Sequence, residues 1–139
     1  MFKNVIELQY QTSSLEDMCL YGDSHVFAYL LSMIKNAHMG VIIERWVVND
    51  EPVERLVHSF CTTSDELTLD TEVFDAKGKC KLKEMLDHFC SPTGPLFRIG
   101  ILERPETVFS NYTSDKIESL TEVFKEIREF IENNKDKYL

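Results

Sequence analysis

Two runs dense in β-branched and aromatic residues, "VIIERWVV" from Val41 and "RLVHSFCTT" from Arg55, flank "NDEPVE" and fit paired strands better than anything else. Asn, Asp and Pro between them carry turn chemistry, so the runs predict a hairpin. Ahead of it, "SHVFAYLLSMIKNAHMG" sets Val26, Phe27, Leu30, Leu31 and Ile34 on one helical stripe, with Gly40 predicted to stop the helix. "ELTLDTEVFDA" predicts a third strand. After "KGK" comes a short amphipathic helix, "KLKEMLDHF", with Leu82, Met85, Leu86 and Phe89 on one side.

Leu96 to Leu102 reads as a short strand between proline-bearing turns. In "SDKIESLTEVFKEIREFIENNK", Ile117, Leu120, Val123, Phe124, Ile127, Phe130 and Ile131 recur at three and four, which predicts a C-terminal helix over about residues 114–135. "SSLEDM" reads as a short capped turn or helix, with Ser13 or Ser14 as N-cap. Trp46, on a strand, is expected in the core, with substrate stacking as the other role open to it. The fold class is α+β: an N-terminal helical part, a central helix carrying Ser24, an antiparallel sheet packed against it and a long C-terminal helix.

A chain of 139 residues fits one domain, 1–139, and can bury a core without staples. No apolar run approaches a bilayer span, and "MFKNVIELQYQ" lacks a signal-peptide h-region, so no membrane partner is expected and the cytoplasm is the expected place. There Cys19, Cys61, Cys80 and Cys90 stay reduced and the sequon at Asn111 carries no glycan. The 24 acidic against 15 basic residues give a net charge of −9, which argues against nucleic acid as a partner. Mimicry of DNA toward a basic protein would suit this charge, but solubility explains it more simply. The exposed face of the C-terminal helix shows no dimer seam, and the oligomeric state stays open.

Ser24 stands just after the tight turn at Gly22 and just ahead of a helix, where unpaired amides and the positive dipole end favour a developing anion. A nucleophile there needs a base and the base an orienting partner. His58 lies mid-strand in "LVHSF", where alternation puts it on the face of Leu56 and Phe60 and turns Val57 away. Asp75 ends the next strand-like run, and adjacent antiparallel strands can bring His58 and Asp75 within hydrogen-bond reach. The plainer readings are a helix N-cap for Ser24 and a structural strand histidine for His58. Cys19 precedes the Gly22 turn, and His25 points away from its neighbour Ser24, so neither suits the site. His38 and His88 read as ordinary. His58, Cys61, His88 and Cys90 offer zinc-ligand types without a zinc spacing, so no metal and no cofactor is expected.

"GDSHVFAYLL", "LVHSF" and "VFDAKG", in this order, resemble the papain-like cysteine peptidase superfamily, particularly its small bacterial and phage members. Those carry the nucleophile in G-x-C-x-x-F-A at the start of the first core helix, a histidine on a strand, and an aspartate in D-x-x-G on the next. Gly22, Phe27 and Ala28 match the frame, Ser24 takes the cysteine place, His58 matches the base, and Asp75 with Gly78 matches the orienting acid. The likeness spans about Tyr21 to Phe89. It implies a papain-like fold and a hydrolase or acyl-transferase acting on an amide, isopeptide or thioester bond, with a peptide or protein as substrate or partner. Where the family often has glutamine for the oxyanion, Tyr21 and Asp23 stand here, and the Ser24 amide is the better donor. Serine forms no thiolate, so the chain as written is weak or inactive. A natural inactive homologue, a serine hydrolase and a Cys-to-Ser replacement all fit. The other class of function is a binding module, a small bacterial or phage regulator that keeps this frame without chemistry.

Overall fold

The computed structural model describes residues 24–90, 96–109 and 114–139. Cys19, Tyr21, Gly22, Asp23, Asn111 and the expected "SSLEDM" helix lie outside them. The first described element, α1 (Ser24–Lys35), buries Val26, Phe27, Leu30 and Leu31, as the stripe predicts. It ends earlier than Gly40, because Asn36 takes a left-handed φ of 52°. The amides of Asn36 and Ala37 then bond back to the carbonyls of Met33 and Ser32 at 3.3 and 2.8 Å. That is the Schellman closure, and asparagine tolerates its conformation nearly as well as glycine.

Gly40 belongs instead to β1 (His38–Val48), where an added Cβ would lie 2.3 Å from two ring carbons of Phe60. The glycine is there for close packing, not to stop a helix. β2 (Glu51–Thr62) returns antiparallel through Asn49 and Asp50, whose φ values of 52° and 65° are those of a type I′ turn. The register shifts between Ile42 and Ile43: Ile42 faces His58, while Ile43 faces Leu56. Val57 is therefore an extra residue, a β-bulge, and the parity of the strand changes across it. This corrects the expected alternation. Leu56 pairs on the opposite face from His58, and Val57 packs beside Ile42 and Phe60.

The third strand is shorter than its sequence run. β3 is Glu72–Asp75 only, because the residues before it form a loop whose Thr71 and Leu69 carbonyls accept the amides of Leu82 and Lys83 at 2.8 and 3.0 Å. Those bonds satisfy two free donors at the start of α2 (Leu82–Phe89). "KGK" is not a plain connection either, since its last two residues open a further strand, β4 (Gly78–Lys81). β5 (Leu96–Ile101) pairs with the other side of β1. A 3-10 turn, Pro105–Phe109, then leads toward α3 (Ser114–Asn133) and the short α4 (Lys135–Tyr138).

The architecture is α+β: a five-stranded antiparallel sheet in the order β4-β3-β2-β1-β5 and, among the described residues, four α-helices, the long α3 and the short α4 ending the chain. Two apolar clusters cover the sheet. On one face Val26, Phe27, Leu30 and Leu31 of α1 meet Cys61 and Phe74, together with Leu120, Ile127 and Ile131 of α3 and Tyr138 of α4. On the other, Leu82 and Met85 of α2 meet Ile42, Phe60 and Val73. The hairpin end lies beyond both, so Trp46 is 46 % exposed and not in the core as expected. Among the described residues no helix is long and apolar enough to cross a membrane.

Candidate active site

The bulge at Val57 sets His58 on the α2 face, opposite Ile42 and in phase with Phe60. Asp75 alternates with Phe74 and so shares that face with Val73. The two side chains meet there: Nε2 of His58 donates to Oδ2 of Asp75 at 3.0 Å, and both residues are buried. The other carboxylate oxygen, Oδ1, accepts the backbone N–H of Lys77 at 2.9 Å, which holds the turn between β3 and β4. Phe89, the last residue of α2, lies nearly parallel on the imidazole, with ring centroids 4.0 Å apart and planes 17° apart. His88 meets Phe89 edge-on at 4.7 Å.

Burial pushes the His58 pKa below the ordinary 6.5, and the hydrogen bond and charge of Asp75 only partly oppose it. The ring is therefore neutral, with its proton on Nε2, where the carboxylate accepts it. Its Nδ1 is a free lone pair in a buried place, and among the described residues nothing bonds to it. A buried polar atom left without a partner is unusual and calls for a reason.

Ser24 is the first residue of α1 and is buried, 8 % exposed. Its hydroxyl does not bond to His58, since among the described residues Nδ1 has no partner and Nε2 is taken by Asp75. The structure thus brings His58 and Asp75 together, while the helix carrying Ser24 covers the other face of the sheet. Phe89 packs against both apolar clusters and so touches the layers on the two faces. Tyr21 and Asp23, the other expected substrate-side residues, lie outside the described part.

Beside the pair lies a cavity of about 310 Å³ lined by Asp75, Cys80, Glu84, Met85, His88 and Phe89 among others. Burial pushes the Cys80 thiol up to about 11 and the Cys61 thiol up to about 12, and it raises Cys90 as well. None of these is a ready thiolate. Cys61 points into the α1 layer, away from His58, and no group of three or more metal-binding side chains gathers among the described residues. His25 packs against Phe109, with ring centroids 5.9 Å apart, and His38 bonds to Asp65 at 2.8 Å.

Two features escaped the sequence. Phe89 reads as one more apolar residue of the α2 stripe, and nothing local marks it as the cover of a histidine. Glu44 is buried two pairs along from His58, accepting Trp46 Nε1–H and pairing with Arg55 at 3.0 Å. A carboxylate in phase with Ile42 was the available signal. No protein-family model matches the chain, and no curated protein or solved structure matches it either.

Proposed function

We propose that the chain is a papain-like hydrolase or acyl-transferase acting on an amide, isopeptide or thioester bond. Position 24 attacks the carbonyl, Nδ1 of His58 takes the proton and returns it to the leaving group, and Asp75 holds the imidazole. The observation that supports this reading is the polarity of His58: the acid occupies Nε2 and leaves Nδ1 unbonded, as a base awaiting a proton requires. An acid partner for His58 also speaks for the enzyme frame over a bare binding cleft. The reading requires the start of α1 to reach Nδ1 past Phe89. With serine at 24 the chain is weak or inactive, because a hydroxyl keeps its proton where a thiol would not. A cytoplasmic peptide, a modifier-protein conjugate or a small amide is the substrate class.

A second reading is a binding module that keeps this frame without chemistry. It is favoured by the Ser24 hydroxyl standing unbonded to a histidine that is 0 % exposed.

One experiment separates the two. A Ser24→Cys variant is treated with iodoacetamide from acidic to mildly basic pH and read peptide by peptide in a mass spectrometer, beside the same variant carrying His58→Ala. The enzyme reading expects labelling at position 24 well below the free-thiol pKa of about 8.5, and its loss with His58. A thiol that labels like an ordinary one, or labels alike without His58, leaves the binding module.

A further inference from the structure

Tyr138 is the penultimate residue, yet it is wholly buried, and its hydroxyl donates to the backbone carbonyl of Ala76. That carbonyl belongs to the same peptide group as the N–H of Lys77, which donates to Oδ1 of Asp75 at 2.9 Å. One peptide plane is therefore held at its oxygen by Tyr138 and at its hydrogen by Asp75. The second carboxylate oxygen, in turn, takes the His58 proton at 3.0 Å.

We propose that Tyr138 is a positioning residue for Asp75, acting through the Ala76–Lys77 peptide; this rests on the reading of His58 and Asp75 as the base and its orienting acid. A hydrogen bond accepted at a peptide oxygen polarises the group and makes its N–H a stronger donor. Tyr138 thereby strengthens and aims the contact that fixes Asp75 against His58.

The surroundings are built for this. The Tyr138 ring meets Phe27 edge-on, with centroids 5.0 Å apart, and its own carbonyl accepts Lys35 Nζ at 2.8 Å. Its neighbour Lys137 lays its Cγ 3.3 Å from where a Cβ on Gly78 would sit, and Gly78 has a φ of +114°. The end of the chain thus touches both sides of the turn that carries Asp75. A phenylalanine would fill the same space and remove the bond to this peptide.

The test is by nuclear magnetic resonance on the full chain with Tyr138→Phe, following the Lys77 amide and the His58 ring. Loss of the hydroxyl is expected to shift the Lys77 amide proton upfield and speed its exchange by about fivefold, the scale of one hydrogen bond. With the carboxylate less satisfied at Oδ1, His58 is expected to titrate at a higher pH. An Ile127→Val variant, loosened elsewhere in the same apolar layer, should leave both signals in place. Should Tyr138→Phe not fold, 3-fluorotyrosine at all five tyrosines makes the hydroxyl a stronger donor, and the Lys77 amide is expected to move downfield. A folded Tyr138→Phe with Lys77 and His58 unchanged, or a fluorinated protein with Lys77 unmoved, overturns the proposal. Neither readout needs a nucleophile at position 24, so this proposal and the enzyme reading fail on separate measurements.

Discussion

A neutral imidazole sealed against Asp75 and Phe89 makes the folded state sensitive to acid. The His58 pKa is lowered on folding from the ordinary 6.5, so below that value the unfolded chain binds a proton that the folded one does not. Stability contributed by this group is present above about pH 6.5 and is lost as pH falls from there toward the folded pKa. Urea midpoints at pH 7.5, 6.5 and 5.5 should fall, and His58→Gln should flatten the part of the slope due to this residue. Asp75→Ala strands both the His58 Nε2–H and the Lys77 N–H, and is expected to cost about 3–5 kcal/mol in the same urea titration at pH 7.5. At this scale the sequence was partly legible. The pairing of His58 with Asp75 follows from strand order and alternation. The faces of Leu56 and Val57 did not follow, because no residue in "RLVHSF" signals a bulge, and the exposure of Trp46 depends on how far the sheet's covering layers extend.

Element boundaries were set by backbone conformations that composition reports only loosely. α1 and α3 were plain from their stripes, and the hairpin from its two β-rich runs. Gly40 looked like a helix stop, but Asn36 took that part, and the glycine was claimed by Phe60 across the strand pair. Gly40→Ala would push a methyl group into that ring, and a loss of about 1–3 kcal/mol is expected on chemical denaturation, as overpacking typically costs. Phe60→Leu added to it should recover part of the loss. At the hairpin turn Asp50 bears a φ of 65°, a conformation that glycine adopts without strain. Asp50→Gly completes the favoured Asn-Gly pair and should raise stability by a few tenths to about 1 kcal/mol, seen as a higher melting temperature. β4 went unread because four residues, two of them lysines, show no pattern apart from the strand they pair with.

Across the whole molecule, the last few residues join parts that are far apart in the chain. Removing residues 135–139 uncovers Phe27 and Ala76 and deletes the buried Tyr138. The expected loss is about 3–5 kcal/mol, on the scale of emptying a large aromatic from a core, and calorimetry would show it directly. Such long-range closure was invisible to local patterns, which ended the C-terminal helix without assigning the residues beyond it a task. The residue inserted at Val57 has its own consequence for the molecule as a whole, because it acts like a shifted reading frame within one ribbon. Strand residues after it keep step with the buried layers, and those before it keep step with the exposed hairpin end. Deleting that single residue would close the bulge into an unbroken ladder, with His58, Leu56 and Arg55 still opposite Ile42, Ile43 and Glu44. Every pair and every face would be kept on both sides of the cut. A length change of one at this position would therefore spare both the surface and the interior.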